Sequence, residues 1–176
     1  MCIRDSNKKG VDPVSGGNIR KTSDDFFQAN DDMFDIIFID GLHLEQQVDK
    51  DIEGCLKVLS NDGFIIMHDC NPPTEFHQRE TYEVNGTFPP WNGTVWRSFA
   101  KLRIMKNDLD LSCVDCDWGI GIIRKKKQPN FELNGDLDFN FLPVRRRAAI
   151  RKAKSEESQK QQSFFLKFSP TAPERV

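Results

Sequence analysis

Two short apolar runs, separated by an amphipathic segment, organise the first half of the chain. One run, "FDIIFID", starts at Phe34 and ends on Asp40, and the other, "FIIMHDC" from Phe64, includes His68 and ends on Asp69; both are typical of buried strands. Between them, apolar residues recur at helical spacing, at positions Leu44, Val48, Ile52, Cys55, Leu56 and Leu59. A strand, a helix and a strand within about 35 residues predict a βαβ unit with two parallel, neighbouring strands. We expect the polar segment 61–63 to end the helix.

Shorter patterns on both sides of this unit predict further elements. The segment from Gly10 to Pro13 is typical of a strand end, and Thr22 with Asp25 forms a capping pattern that opens a short helix. After the second run, residues 71–93 form a long loop rich in Pro, Asn and Gly. Because long loops are often functional, we expect this one to act as a lid or a substrate wall.

The rest of the chain completes the predicted domain organisation. A helix near Val95 and an antiparallel hairpin that turns near Asp117 are expected to finish the sheet. We therefore predict one partial α/β domain over residues 10–127. The flanking segments are a leader at 1–9 that is an artefact or disordered, a basic helical extension at 128–154 and a disordered tail at 155–176.

Composition narrows the class of protein. The chain has 176 residues, 38% of them apolar, a formal charge of -2 and a pI near 5.9, which gives no reason to expect nucleic acid or an anionic membrane as a partner. Its apolar runs are too short to cross a bilayer. Five irregularly spaced cysteines do not resemble a secreted disulfide framework, and the single pair Cys113 and Cys116 lacks the further ligands of a zinc site. We expect a cytoplasmic protein.

Each apolar run ends on an acid. Asp40 ends the first run and Asp69 ends the second, so parallel strands would bring both carboxylates to one edge of the sheet. Burying an unpaired carboxylate costs several kcal/mol, which favours a functional role for these acids. His43 follows Asp40 by three residues, and it could orient a substrate, act as a general base or cap the next helix.

The blocks around these acids resemble a known family. They are "VDP" from Val11 to Pro13, "FIDGLH" from Phe38 to His43 and "HDCNP" from His68, followed in order by "WNGTVW" and "DWGIGII". From Gly10 to about Lys127 the chain is similar to the small class I S-adenosylmethionine-dependent methyltransferases, and to a bacterial group among them. The resemblance implies a Rossmann-like methyltransferase sheet, mostly parallel with a C-terminal antiparallel hairpin, and S-adenosylmethionine as cofactor.

The resemblance also implies roles for single residues. Asp12 matches the acid that holds the cofactor ribose, although a plain surface turn would explain it too. Thr22 and Ser23 match positions that line the adenine, with a helix cap as the alternative. Asp40 matches the acid that faces the sulfonium end of the cofactor, and His43 is a candidate base.

A divalent metal is a further implication. In catechol-type O-methyltransferases an ion is held by two acids and an asparagine; Asp40 and Asp69 match the acids, whereas Cys70 replaces the asparagine and Asn71 comes one residue late. Two carboxylates and a carboxamide would suit Mg²⁺. We expect Asp69 also to face the acceptor, together with Trp91 from the loop.

The glycine-rich turn that grips the cofactor in this family has no counterpart before Asp12. We therefore expect an N-terminally truncated domain, without the first strand and its loop, that binds S-adenosylmethionine weakly or not at all by itself. The leading hypothesis is methyl transfer to an oxygen of a small or saccharide-like acceptor. The alternatives are a metal-dependent hydrolase using Asp40, His43, His68 and Asp69, and a non-catalytic interaction module with a basic C-terminal end.

Overall fold

The computed structural model describes residues 8–127, together with the backbone of residues 164–167. The strands are β1 Lys8–Val11, β2 Phe34–Ile39, β3 Leu59–Met67, β4 Asp110–Val114, β5 Ile120–Arg124 and β6 Phe164–Lys167. The helices are α1 Ser23–Gln28, α2 Glu45–Val58 and α3 Val95–Met105, with one turn of 3₁₀-helix at Glu75–Gln78. None of the helices in this part of the chain is long and apolar enough to cross a membrane.

The elements form a mixed sheet with the order β1-β6-β2-β3-β5-β4. β2 and β3 are parallel neighbours joined by α2, so the predicted βαβ unit is confirmed. β1 and β2 each pair antiparallel with β6 and therefore run in the same direction as each other. β4 and β5 form the predicted antiparallel hairpin on the other side of β3. The predicted α/β class with a parallel core and a C-terminal hairpin is confirmed at this level.

β6 differs from the expectation for the C-terminal tail. Its four residues lie inside the segment 155–176, which we expected to be disordered, and they fill the position between β1 and β2. Two facing strands with unpaired backbone groups offer a ready site for a further strand, which explains why an aromatic and aliphatic segment pairs there. The expected basic helix at 128–154 lies outside the described residues.

The end of α2 also differs from the prediction. α2 ends at Val58 and β3 begins directly at Leu59, so the polar segment 61–63 does not form a separate turn. Leu59 pairs with Phe34 and Phe64 pairs with Ile36, so the residues between Leu59 and Phe64 bulge out of the ladder. The polar residues that we expected to end the helix thus form a bulge inside β3.

The core lies on one face of the sheet. The side chains that are completely buried there are Phe34, Ile37, Leu59, Ile65, Met67 and Ile123, with Cys55 from α2. On the opposite face the paired residues Ile36 and Phe64 remain 39% and 38% exposed. The apolar run of β2 predicts burial on both faces, but within the described residues only one face is fully covered.

Candidate active site

Four titratable side chains meet at the carboxyl edge of β2 and β3. β2 ends at Ile39, so Asp40 is the first residue beyond it, and β3 ends at Met67, so His68 and Asp69 follow it. His68 therefore lies just past the strand, not within it as we expected. Because the two strands are parallel neighbours, these residues emerge side by side. We call Asp40, His43, His68 and Asp69 the edge cluster.

His43 lies between the two acids. Its Nε2 is 3.4 Å from Asp40 Oδ1 and its Nδ1 is 3.1 Å from Asp69 Oδ2. His43 is 1% exposed and Asp69 is completely buried. In the described part of the chain neither ring nitrogen of His43 has a partner in hydrogen-bond geometry, and the same holds for Asp69 Oδ2. The cluster thus contains buried polar atoms that the protein itself does not satisfy.

His68 bridges the same two acids from the other side. Its Nδ1 is 3.5 Å from Asp40 Oδ1 and 3.3 Å from Asp69 Oδ2, and its Nε2 is 3.4 Å from Asp117 Oδ2. The neighbouring carboxylates of Asp40 and then Asp69 raise the pKa of His68 to about 11, against the opposing effect of burial. The oxygens approach Nδ1 at ion-pair distance without an aligned hydrogen bond. The close polar contacts with Asp40 and Asp69 stabilise the imidazolium first, and the charge of both carboxylates adds to them.

The same interactions act on Asp40. Burial alone would raise the pKa of this carboxyl, but the close polar contacts with the imidazoles of His43 and His68 together outweigh it, so the pKa of Asp40 lies below its usual range. The Asp40 side chain is 17% exposed. It is therefore an ionised carboxylate that a ligand can reach, whereas Asp69 and His43 lie beneath the surface.

The loop at 71–93 and the residue after it cover the cluster. Trp91 stacks on the His43 ring with centroids 5.1 Å apart and an interplanar angle of 24°. Asn92 Nδ2 donates to Asp69 Oδ1, which leaves Oδ2 facing the two imidazoles. Thr94 fastens the end of the loop, since its backbone N–H donates to the His43 carbonyl at 2.8 Å. Sequence reasoning missed Asn92, although the "WNGTVW" block contains it.

Backbone strain marks the same place. Asp69 has a φ of 63° and Gly93 a φ of 61°, both in the left-handed region. A Cβ at position 93 would overlap the carbonyl oxygen of His43, so only glycine fits there. Strain of this kind is typical of functional sites, where the surrounding structure holds it in place.

Asp12 occupies the predicted position directly after β1, but its carboxylate is engaged by its own loop. Asp12 Oδ1 accepts hydrogen bonds from the backbone N–H groups of Val14, at 2.7 Å, and of Ser15. Arg20 Nη1 lies 3.6 Å from the same oxygen. The surface-turn interpretation of Asp12 is thus visible in the structure, and the ribose role stays a prediction.

Thr22 and Ser23 lie at the start of α1. Thr22 is its N-cap and accepts a hydrogen bond from the backbone N–H of Asp25 at 3.1 Å, so the capping pattern is confirmed. Ser23 Oγ accepts from Gln47 Nε2 at 3.2 Å. Their predicted contact with adenine stays a prediction.

The side-chain amide of Asn71 is engaged in the turn of the β4–β5 hairpin. Its Nδ2 donates to Asp115 Oδ1 at 2.9 Å. Among the described His, Cys, Asp and Glu residues, the group that could hold an ion is Asp40, His43 and Asp69, with one atom from each within 4.8 Å of the others. His43 is thus a metal-ligand candidate that the predicted Mg²⁺ site did not include, and a metal role for Asn71 stays a prediction.

The comparison with known protein families agrees with this geometry. Residues 8–70, which include β1 to β3 and the whole edge cluster, match the model of a family described as a methyltransferase domain. This match supports a methyltransferase enzyme of the class I S-adenosylmethionine-dependent type, a class that implies S-adenosylmethionine as the methyl donor. The position of the cluster at the carboxyl edge of the sheet agrees with it. None of the curated proteins matches the chain.

Proposed function

We propose that the domain transfers the methyl group of S-adenosylmethionine to a hydroxyl oxygen of a small or saccharide-like acceptor at the edge cluster. The observation that supports this most is the convergence of Asp40, His43 and Asp69 at the carboxyl edge of two parallel strands. Open α/β sheets bind their ligands at this edge, and the residues lie inside the segment that matches a methyltransferase domain.

Methyl transfer to a hydroxyl requires that the acceptor oxygen be aligned with the methyl group and that a base take up the hydroxyl proton. The acceptor oxygen attacks the methyl carbon in line with the bond to sulfur, that bond breaks, and S-adenosylhomocysteine leaves with the bonding electron pair. The hydroxyl proton passes to the pair of Asp40 and His43, of which Asp40 is the member that a ligand can reach. His43 holds the Asp40 carboxylate in place and keeps it ionised.

The other acids along the carboxyl edge have roles in binding the cofactor and the acceptor. Asp12 binds the cofactor ribose, and Asp40 faces the sulfonium, whose positive charge a carboxylate stabilises. Asp69 lies on the acceptor side, under the loop that carries Trp91. Because the Asp12 carboxylate already binds the amides of Val14 and Ser15, the cofactor has to displace contacts that the loop makes with itself. We therefore expect weak binding of S-adenosylmethionine.

A matched pair of variants tests these roles. We expect Asp12→Asn to abolish binding of S-adenosylmethionine, and Asp69→Asn to keep it while losing methyl transfer from labelled cofactor to hydroxyl acceptors. Ligand-observed NMR is the suitable measurement because it detects weak binding, and circular dichroism would show that both variants are folded. Loss of cofactor binding in Asp69→Asn with retention in Asp12→Asn would reverse the assignments.

One observation favours a second candidate, a metal-dependent hydrolase. The four residues assigned to it from the sequence do converge: Asp40, His43, His68 and Asp69. It predicts metal-dependent cleavage of activated esters or phosphate esters by the purified chain, and no transfer of label from S-adenosylmethionine. The match to a methyltransferase domain favours the first function. The basic segment that the interaction-module hypothesis needs lies outside the described residues.

A further inference from the structure

We infer that the edge cluster binds a transition-metal dication of the Zn²⁺ or Co²⁺ type, and that it does not select Mg²⁺. The use of such an ion in methyl transfer rests on the proposed function, whereas its binding does not. The donor atoms present at the cluster differ from the ligands expected for Mg²⁺.

Mg²⁺ prefers six oxygen ligands in octahedral geometry. The sequence predicts three such ligands, Asp40, Asp69 and Asn71, and the amide nitrogen of Asn71 donates to Asp115. The two acids have an imidazole beside them, that of His43, with one atom from each of the three residues within 4.8 Å of the others. Imidazole nitrogen suits Zn²⁺, Co²⁺ and their neighbours in the first transition row far better than it suits Mg²⁺. The donor set therefore does not fit the ion that the resemblance implies.

The spacing of the donors fits a single small ion. One atom from each of Asp40, His43 and Asp69 lies within 4.8 Å of the others, and the ligands of a tetrahedral Zn²⁺ ion lie about 3.4 Å from one another. His68 Nδ1 lies 3.5 Å and 3.3 Å from the two carboxylate oxygens but is outside this group of three. Two carboxylates and an imidazole are a mixed oxygen and nitrogen set of the kind that zinc enzymes use.

Buried atoms without partners point into this space. His43 is 1% exposed and Asp69 completely buried, yet both ring nitrogens of His43 and Asp69 Oδ2 lack a hydrogen-bond partner among the described residues. Leaving such groups unsatisfied costs free energy, so buried polar atoms are as a rule paired. An ion would satisfy Asp69 Oδ2 and a ring nitrogen of His43 together.

The surroundings orient the donors for this purpose. Asn92 Nδ2 donates a hydrogen bond to Asp69 Oδ1, which leaves Oδ2 facing the imidazoles. Residues behind a metal site commonly fix the direction of its ligands in this way. Trp91 stacks on His43 and holds its ring plane. The competing arrangement is a metal-free ion-pair network, in which protonated His68 alone neutralises Asp40 and Asp69.

The experiment measures metal binding by the full chain after chelator treatment, without cofactor or acceptor. Titration with Co²⁺ is followed by visible absorption, whose band intensity reports the coordination, and Zn²⁺ and Mg²⁺ are titrated by calorimetry. We expect one equivalent of Co²⁺ or Zn²⁺ to bind at least about 100-fold more tightly than Mg²⁺. Since neither cofactor nor acceptor is present, failure here leaves the methyl-transfer proposal to its own test.

The chain offers a matched control, because it has three histidines and only two lie in the cluster. We expect His43→Gln to weaken Co²⁺ binding by about 10- to 100-fold, and His77→Gln, which alters a histidine paired with Thr74, to leave it unchanged. Asp40→Asn at a partly exposed position repeats the test if His43→Gln does not fold. Absence of a bound ion, equal affinity for Mg²⁺, or equal losses in His43→Gln and His77→Gln would each overturn the inference.

Discussion

Asp12 and Asp69 both lie just past a strand at the carboxyl edge, yet their surroundings are opposite. Asp12 is satisfied by its own loop, through two backbone amides and a nearby Arg20. Asp69 is completely buried, and one of its oxygens faces two imidazoles without a hydrogen bond. The same position at a strand end thus holds a self-contained turn in one case. In the other it holds a buried carboxylate with one oxygen that lacks a hydrogen bond among the described residues. The loop that follows each strand decides the difference.

The largest effect that tests this comparison concerns Gly93, which holds the loop against the cluster. Alanine at a φ of 61° is strained, and its Cβ would also overlap the His43 carbonyl oxygen. We expect Gly93→Ala to lower the free energy of unfolding by about 4 kcal/mol, from the left-handed backbone and the overlap together. Urea unfolding followed by circular dichroism measures it.

A second glycine separates the two causes. Gly86 has a φ of 73° but nothing within 4 Å of a Cβ at that position, so Gly86→Ala carries the backbone strain alone. We expect it to cost about 1 to 2 kcal/mol. Equal losses in Gly93→Ala and Gly86→Ala would contradict the tight contact of residue 93 with His43.

The next effect compares the two acids directly by isosteric replacement. Asp69→Asn removes the charge that the buried imidazole of His43 and the partly buried one of His68 face, and we expect it to cost about 2 kcal/mol. Asp12→Asn keeps an oxygen for the amides of Val14 and Ser15 and loses only an exposed pair with Arg20, so we expect at most about 0.5 kcal/mol. Thermal and urea unfolding of both variants give the comparison, and similar costs would show that Asp12 is as dependent on its charge as Asp69.

Much of the fold follows from local patterns and one topological rule. The spacing of apolar residues locates the start of α2 to within a residue, although its end comes before the predicted segment 61–63, and the cap at Thr22 correctly opens α1. Strand, helix and strand in succession require parallel neighbours, so Asp40 and Asp69 had to meet at one edge. Each of these inferences uses contacts that are short in sequence or fixed by chain direction.

The parts that sequence reasoning missed depend on packing between distant segments. Asn92 reaches Asp69 across 23 positions, and only the path of the loop determines this. Asn71 lies two residues after Asp69, yet the hairpin turn that carries Asp115 holds its side chain. β6 pairs with strands more than a hundred positions away, which no local pattern reveals. Contacts between segments this far apart in the sequence leave no periodic pattern of apolar residues that would predict them.

The smallest effect concerns a buried acid that lies outside the edge cluster. Asp51 on α2 is 2% exposed, and burial raises its pKa, although hydrogen bonds from Ser23 and Gln47 oppose the rise. Asp40 is partly buried, but its two histidines lower its pKa, so the contrast lies in the imidazole partners. Each unit of such a shift corresponds to about 1.4 kcal/mol.

The sign of the pH dependence follows from the direction of this shift. Above a pH of about 3.8 the folded protein keeps the Asp51 proton longer than the unfolded chain does, so the contribution of Asp51 to stability falls as the pH rises. In Asp51→Asn this dependence is absent. We therefore expect the stability of the variant relative to the original protein to increase from pH 4 to pH 7, in urea unfolding at each pH. Glu53→Gln on the exposed side of the same helix is the control, for which the two curves should stay parallel. A relative stability of Asp51→Asn that falls with pH would mean that Asp51 has a charged partner, as Asp40 does.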